Sequence, residues 1–290
     1  MRKCRLSKRA MAALFCLPAA ALVIVVIGVP SMSSLAMSLF EWDGLSKPAF
    51  VGLRNFSDII FRDKEFRIGL VNNLKWTVIF MIVPIFLGLV IAFALASIKR
   101  MRLVYMTVLF IPVVLSRVVV ARLWGWVFNP FFGINTLFEK LGWTALCQSW
   151  LGNPHIALYS LAFVDNWTWW GFVMVIFLAA IQQIDPAYYE AAVIDGASTA
   201  QKFRYITIPL IRPTLNFILL LTAVWSLSAF DFSYIMTQGG PGHATEMMST
   251  WIYKQGILNF RVGYASAMSV LLLAFSLLVI LLFSAVRRDA

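Results

Sequence analysis

The chain is poor in charge: Asp, Glu, Lys and Arg make up 13% of its 290 residues, where a soluble domain carries about 25%. Hydrophobic residues make up 61%, and a soluble fold would need far more charge to cover that much apolar surface. The composition therefore predicts an integral membrane protein. The net charge of +11 does not indicate a nucleic-acid partner, because the basic residues cluster at the ends of apolar runs, as the positive-inside rule expects.

The sequence also lacks the usual motifs of catalysis and metal binding. It has no Gly-Lys dipeptide, so no P-loop is present to hold the phosphates of ATP. Its two histidines, His155 and His243, are far apart, and neither an H-E-x-x-H nor a G-x-S-x-G pattern occurs. The three cysteines form no C-x-x-C pair. We therefore expect no metal site, no cofactor bound by this chain and no catalysis by the chain alone, which leaves a membrane enzyme as a remote alternative.

What the sequence does contain is a set of apolar runs long enough to cross a bilayer, which takes about 20 residues. The first run is longer than a membrane requires, and we expect Pro18 and Pro30 to bend it. It is also too long for a cleaved signal peptide, although basic residues precede it. The sequence therefore predicts an all-α fold with six transmembrane helices, at residues 11–40, 76–98, 103–128, 156–184, 214–234 and 262–286.

The distribution of basic residues predicts the orientation of these spans. Lys and Arg gather before the first span, in the 99–102 turn and after the last span. The connections 41–75 and 129–155 are longer and nearly balanced in charge. By the positive-inside rule, both termini lie in the cytoplasm. The same rule places the polar segment 190–213, EAAVIDGASTAQKFRYITIPLIRP, on the cytoplasmic side.

The start of this polar region is predicted to form a short, capped helix. Asp185 is suited to the N-cap, and Pro186 is suited to the first helical position, where its missing N–H costs nothing. Gly196 is suited to the left-handed residue that closes such a helix.

A second short helix is predicted to follow. Ser198 and Gln201 have the spacing of a capping box. Pro209 and Pro213 are expected to end this helix and to fix the entry into the next span. Two capped helices on the cytoplasmic face would form a docking element for a soluble partner.

The polar segment resembles a sequence motif of the permease subunits of bacterial ABC importers, E-A-A-x-x-D-G-A-x-x-x-x-x-F-x-x-I-x-L-P-x-x-x-P. Ile208 departs from it, where leucine is usual. The run FVDNW at 163–167 and the run GGP at 239–241 look like the carbohydrate-uptake branch, whose larger maltose-permease subunit this chain resembles. The large inserted periplasmic domain and the extra N-terminal spans of that subunit have no counterpart here. The motif positions in this chain are Glu190, Ala191, Ala192, Asp195, Gly196, Ala197, Phe203, Ile206, Pro209 and Pro213.

The resemblance implies a type I ABC importer permease fold in the bacterial plasma (inner) membrane, with a cytoplasmic coupling helix between spans 4 and 5. Residues 1–70 would form the basic N-terminal segment, the first transmembrane helix and a periplasmic loop. Residues 71–286 would form the transmembrane domain, with the coupling loop at 185–213. The implied partners are a second, different permease subunit, two ATPase subunits that bind ATP and Mg, and a solute-binding protein outside the membrane.

The resemblance also implies roles for the motif residues. Gly196 would permit a sharp turn, and the motif alanines would keep the contact face slim. Glu190 and Asp195 would pair with basic groups, and Phe203 and Ile206 would be buried in the partner or in the helix bundle.

Charged residues inside the predicted spans mark a candidate translocation path, because such residues are costly in a membrane. Asp165 and Asp231 lie in spans 4 and 5, and Arg117 and Arg122 lie in span 3. A helix rises about 1.5 Å per residue, which places Arg117 and Asp165 at similar depths. Two interpretations remain open: a structural ion pair between these residues, or contact of Asp165 with the transported solute.

The resemblance adds further candidates for the path. Trp167 and Trp170 match positions that contact sugar in the maltose-permease subunit, and Asn166 lies beside them; Thr222 and Ser226 are weaker matches. Anchoring at the membrane interface, where tryptophan is common, is an open alternative for Trp169 and for Trp167.

The cargo would be a sugar or a sugar-like solute, such as an oligosaccharide, a polyol or a glycerol phosphate. Two alternatives remain: another ABC importer branch for amino acids, phosphate or peptides, and a secondary transporter, which would show inverted repeats or paired broken helices.

Overall fold

The computed structural model of the chain describes residues 8–98 and 100–288, with side chains from residue 15 to residue 281. Residues 2–5 and Lys99, whose basic side chains contributed to the predicted orientation, lie outside the described residues.

Almost every element in this part of the chain is a helix. In chain order the helices are α1 (Lys8–Val23), α2 (Val29–Met37), α3 (Arg54–Phe61), α4 (Lys64–Ala96), α5 (Arg102–Val114), α6 (Arg117–Val127) and α7 (Ile134–Lys140). They continue with α8 (Ala157–Gln182), α9 (Pro186–Ile194), α10 (Thr199–Lys202), α11 (Ile208–Leu210), α12 (Arg212–Leu227), α13 (Met248–Tyr253) and α14 (Val262–Arg288). A two-residue hairpin of strands β1 (Phe40–Glu41) and β2 (Ala49–Phe50) is the exception.

Four helical stretches are long and apolar enough to cross a membrane by themselves: Phe15–Met37, Lys64–Ala96, Ala157–Gln182 and Val262–Leu281. Two further pairs of helices pass the same test only when each bent pair is taken as one span. Within the described residues the count therefore reaches six spans at most, which agrees with the six that the sequence predicts.

The second span begins earlier than predicted, at Lys64 and not at Trp76. Phe66, Gly69, Asn73 and Trp76 are all buried, and their spacing of three to four residues follows one face of a helix. The part of the predicted 41–75 loop that follows residue 63 is therefore the first three turns of α4. The apolar run alone did not predict these turns, because the other faces of the helix carry charged residues there.

The third span is not the single continuous helix predicted at 103–128. It is broken into α5 and α6, which meet at 94°. The backbone of Leu115 and Ser116 is extended, with ψ angles of 138° and 137°, and Pro112 removes one hydrogen-bond donor from the last turn of α5. The break makes Arg117 the first residue of α6.

The predicted ends of the fifth span also need correction. Pro209 does not end the second polar helix, because Thr199–Leu210 is one helical stretch, with π-helical geometry over Phe203–Thr207. The break comes at Ile211, where the direction changes by 73°, and Pro213 lies in the first turn of α12. α12 then ends at Leu227 and not at residue 234.

The structure divides into two compact units, and the first comprises, of the described residues, 8–63 and 252–274. Asn55 donates from Nδ2 to the carbonyl oxygens of Ser38 and Phe40, both at 2.9 Å, which fixes α3 beneath the hairpin. The hydroxyl of Tyr264 donates to Oδ2 of Asp63 at 2.9 Å. These buried polar contacts connect segments that are far apart in sequence.

An Asx-type turn follows the hairpin's first strand in this unit. The backbone N–H groups of Leu45 and Ser46 donate to the carboxylate of Asp43 at 2.9 and 2.7 Å. These hydrogen bonds, Ser46 first, lower the pKa of Asp43 to about 2. Because the pKa of Asp43 is depressed in the folded state, this turn contributes fully to the stability of the fold above the ordinary pKa near 3.8. The contribution is lost as the pH falls through about 2.

The second unit comprises residues 64–251 and 275–290, and α8 lies at its centre. A Cβ atom on Gly88 of α4 would come within 2.8 Å of Cγ1 of Val173, and one on Gly171 would come within 2.7 Å of the Leu109 carbonyl oxygen. Glycine therefore lets α8 approach both α4 and α5 closely. Close approach matters here because lipid removes the hydrophobic drive for association and leaves packing contacts to hold membrane helices together.

Two adjacent asparagines of α4 hold the connection between α12 and α13. Asn73, which is fully buried, donates to the Leu227 carbonyl oxygen at 3.1 Å and accepts from the Met248 N–H at 2.9 Å. Asn72 donates to the carbonyl oxygens of Ala244 and Glu246. The amides thus satisfy backbone groups that the irregular segment would otherwise leave unpaired.

Candidate functional site

The first polar helix has the local geometry that its sequence predicts. Asp185 is the N-cap of α9, and its side chain accepts the N–H of Ala187 at 2.9 Å. Pro186 occupies the first helical position. Gly196 has φ +71° and closes the turn after the helix.

The second polar helix begins with the predicted capping box. The hydroxyl of Ser198 accepts the N–H of Gln201 at 3.3 Å, and Oε1 of Gln201 accepts the N–H of Ser198 at 2.7 Å. The first turn of each helix in the 185–213 loop is therefore stabilised by a cap from the loop's own side chains.

Contacts that no local pattern indicates join the two helical stretches of this loop to each other and join the loop to the helix bundle. The hydroxyls of Tyr189 and Thr207 lie 2.9 Å apart, and Thr207 is fully buried. The ring of Phe203 packs on that of Phe93 in α4, with centroids 4.8 Å apart. Phe203 is thus half-buried and packs against the helix bundle.

The apex of the 185–213 loop is exposed and apolar. Ile194 is 87% exposed, and Tyr205 is 73% exposed. Tyr188 and Val193 are also exposed, and Ala192 is buried beneath them. Contiguous exposed apolar side chains of this kind mark interaction sites. Of the other motif residues, Ala197 and Ile206 are half-buried, whereas those that stay exposed are Glu190, Ala191, Asp195, Gly196 and Pro209.

A groove of about 600 Å³ runs between this loop and the adjoining ends of α4 and α8. Its wall includes Phe93, Ile181, Tyr189, Glu190, Val193 and Lys202. Glu190 and Asp195 form no ion pair with any side chain that the structure describes. The groove and the apex together therefore form an apolar surface, and the carboxylates of Glu190 and Asp195 lie beside it.

A second concave site, with a volume of about 340 Å³, is lined by residues of α4, α6, α8, α12 and the segment after α12. We call it the Arg117 cavity. Its aromatic lining consists of Trp76, Phe80, Trp169, Trp225, Phe230 and Phe232, and its polar lining consists of Arg117, Asp165, Ser228, Asp231 and Ser233. An aromatic wall with a few convergent polar groups is typical of a small-molecule site.

Arg117 is at the centre of the charged groups in this cavity. Its Nη1 contacts Oδ1 of Asp165, and its Nε lies 3.9 Å from Oδ2 of Asp231. The side chain of Asp165 is 12% exposed, that of Arg117 is 34% exposed and that of Asp231 is 53% exposed. The structure therefore contains the ion pair that was one of the two interpretations of Asp165, and it adds Asp231 to the pair.

The path residues proposed by resemblance lie outside the Arg117 cavity. Trp167 packs edge-to-face on Trp124, with centroids 5.6 Å apart, and Trp170 is half-buried. Asn166 is buried and donates to the Ala162 carbonyl oxygen. Contact of these residues with a solute stays a prediction.

The two candidates on α12 are fully buried. Ser226 donates to the hydroxyl of Thr77 at 2.9 Å, and Thr222 accepts the indole N–H of Trp169 at 3.3 Å. Their hydroxyls are therefore engaged in joining α12 to α4 and α8.

Trp169 lines the cavity. It is only 5% exposed, and its ring lies 4.5 Å from that of Trp225. This burial favours a position in the cavity wall over the interface anchor that the sequence left open for Trp169. Its spacing of four residues from Asp165 places both on one face of α8, and this relation was available in the sequence.

Comparison with known proteins agrees with this architecture. A 37% identical relative over 92% of both chains is a probable ABC transporter permease protein of Pyrococcus horikoshii. The trehalose/maltose transport system permease protein MalF of Thermococcus litoralis is 32% identical, over 95% of this chain and 94% of that one.

A solved structure also has the same fold. It is a bacterial ABC transporter that imports the acidic polysaccharide alginate, and it superposes with a TM-score of 0.85 over 96% of this chain and 95% of that chain, at 23% identity. Residues 77–290 match the family described as the binding-protein-dependent transport system inner membrane component. The chain is therefore a member of this family of ABC transporter permeases.

Proposed function

We propose that the chain is the transmembrane permease subunit of an ABC importer that moves a sugar or a sugar-like solute, delivered by a solute-binding protein outside the membrane. The family description supports a binding-protein-dependent system in the inner membrane. The names of relatives and of the matching structure, which concern trehalose, maltose and alginate, support a sugar as cargo. The aromatic lining of the Arg117 cavity supports it as well, because the faces of sugar rings are apolar.

The observation that carries this proposal is the exposed apolar apex of the 185–213 loop. Val193 and Ile194, 61% and 87% exposed, are the last two residues of the capped helix α9, whose Tyr189 contacts the buried Thr207. In the proposal this apex docks on an ATPase subunit, which binds ATP and Mg and catalyses the hydrolysis. A second permease subunit pairs with this chain, and both termini lie in the cytoplasm.

The contacts of the loop provide a route for motion. Phe203 packs on Phe93 of α4, and a single residue, Ile211, separates α11 from α12. α12 and the segment after it carry Trp225 and Asp231 of the Arg117 cavity. When the ATPase subunits close, a rigid loop moves both helices and changes access to the cavity.

Gly196 allows this docking to be tested without altering any side-chain contact. Its φ is +71°, and a Cβ atom there would meet nothing within 4 Å, so a substitution acts through the backbone alone. A left-handed backbone costs an ordinary residue about 1–2 kcal/mol, whereas asparagine tolerates it better. We expect Gly196→Val to reduce both ATPase co-purification and ATP-driven sugar uptake about tenfold, and Gly196→Asn to retain most of both.

Gly142 provides the matched control, because it has φ +77° and equally open space. Gly142→Val introduces the same kind of strain outside the 185–213 loop, and we expect it to leave ATPase association unchanged. If Gly196→Val retains full association and full uptake, the loop is not the docking element.

A further inference from the structure

We propose that the Arg117 cavity selects uncharged sugars and rejects anionic ones, such as uronates and sugar phosphates. The inference rests on the proposed function and narrows its substrate class. It rests on the contacts that two carboxylates, Asp165 and Asp231, make with Arg117, the one cation among the residues that line the cavity.

Arg117 is not available to a negatively charged solute. Its guanidinium contacts Asp165 through Nη1 and lies 3.9 Å from Asp231 through Nε. An incoming carboxylate or phosphate would have to displace Asp165, whose side chain is only 12% exposed. A carboxylate left unpaired in that position would be strongly unfavourable.

The cavity also has one negative charge in excess. Arg117 is the only cation among the residues that line it, against the carboxylates of Asp165 and Asp231. Arg122, on the same helix, is exposed and does not line the cavity. The surplus carboxylate is the accessible one, since the side chain of Asp231 is 53% exposed. An anionic solute therefore meets repulsion before it reaches the guanidinium.

The remaining lining suits a neutral sugar. The rings of Trp169 and Trp225, 4.5 Å apart, offer an apolar surface for a pyranose face. Asp231 accepts hydrogen bonds from sugar hydroxyls. The indole N–H of Trp76, also in the lining, is buried and has no hydrogen-bond partner within the part of the chain that the structure describes.

This selectivity differs from that of the alginate importer, which shares the fold but imports an acidic polysaccharide. The fold therefore does not fix the charge of the cargo. In this chain the charge of the cargo is determined by the first residue of α6, Arg117, and by Asp231 in the segment that follows α12.

The inference is tested by direct binding of matched sugars to the purified complex of both permease subunits and the ATPases, in lipid nanodiscs. The probes are the neutral trisaccharides maltotriose, cellotriose and arabinotriose, compared with trigalacturonate, and binding is followed by quenching of tryptophan fluorescence. We expect the best neutral trisaccharide to bind at least tenfold more tightly than trigalacturonate. We expect Asp231→Asn to reduce this ratio to below threefold by strengthening trigalacturonate binding.

Glu139→Gln is the matched control, because it removes one exposed carboxylate from α7 that does not line the cavity; its ratio should equal that of the unmodified protein. Equal or tighter binding of trigalacturonate, an unchanged ratio in Asp231→Asn, or the absence of binding by every neutral probe would overturn the inference. ATP-driven uptake and the Gly196 variants test the proposed function separately, and it survives each of these results.

Discussion

Arg117, the first residue of α6, contacts Asp165 of α8, and Arg117 comes directly after the break that divides the predicted third span. The two residues are 48 positions apart in sequence. α6 runs at 94° to α5. If the two formed one continuous helix, Arg117 would therefore lie along the axis of α5 and not along that of α6. The break and the ion pair therefore belong to one structural feature.

We expect Asp165→Asn to destabilise the protein, since it leaves Arg117 with a single, more distant carboxylate. Breaking a buried pair costs about 3–5 kcal/mol. The partial exposure of Arg117 reduces our expectation to about 2 kcal/mol. The measurement is the apparent unfolding free energy of the purified complex in nanodiscs.

The double variant Arg117→Gln with Asp165→Asn tests whether the effect comes from the pair. We expect it to be no less stable than Asp165→Asn alone, because it removes the unpaired charge. Strict additivity of the two single substitutions in a double-mutant cycle would show that the pair is not coupled.

Tyr189→Phe should loosen the 185–213 loop, because the contact of Tyr189 with Thr207 joins its two helical stretches to each other. It removes the 2.9 Å contact with the Thr207 hydroxyl, a loss of about 1 kcal/mol. We expect fewer sugar molecules to be transported per ATP hydrolysed, because a looser loop transmits less motion. Tyr159→Phe, at a half-exposed position on α8, should leave this ratio unchanged. The same ratio in both variants would argue against rigid transmission through Tyr189.

Gly88→Val should destabilise the packing of α4 on α8. Even the Cβ atom would lie 2.8 Å from Val173 and 3.0 Å from the backbone nitrogen of Met174, and overpacking of this kind costs about 1–3 kcal/mol. The thermal transition of the complex provides the measurement. Gly125→Ala meets nothing within 4 Å in α6 and should leave the transition unchanged or raise it. A Gly88→Val protein as stable as the control would contradict the packing described for this pair.

Asn73→Ala should destabilise the connection between α12 and α13. The substitution leaves the Leu227 carbonyl and the Met248 N–H without the partners that they have in the structure. Buried, unpaired groups cost about 1–3 kcal/mol each, and we expect a total loss of about 2–4 kcal/mol in unfolding free energy. Asn259→Ala changes an exposed asparagine and should have little effect. An equal loss in the two variants would indicate that the amide contacts of Asn73 contribute nothing.

The local features of the 185–213 loop could be predicted from the sequence because they act over four residues or fewer. The N-cap at Asp185, the left-handed Gly196 and the capping box at Ser198 depend only on side chains and the adjacent backbone. The contact of Tyr189 with Thr207 could not be predicted in this way, because it depends on how the loop folds back on itself.

The cavity was predicted less completely for a similar reason. Helical rise placed Arg117 and Asp165 at one depth, and the structure shows them in contact. The choice of Trp167 and Trp170 followed the family alignment, whereas the face of α8 that carries Asp165 also carries Trp169. The break before Arg117 had no sequence marker apart from Pro112, which lies five residues earlier.

The most direct test of the account is the rate of sugar uptake into proteoliposomes that contain both permease subunits, with and without the ATPase subunits. The sugar is the one that the system's binding protein retains, and ATP is enclosed on the side of the 185–213 loop. The account predicts uptake only when the ATPases and ATP are both present. Uptake at the full rate without the ATPase subunits would contradict it.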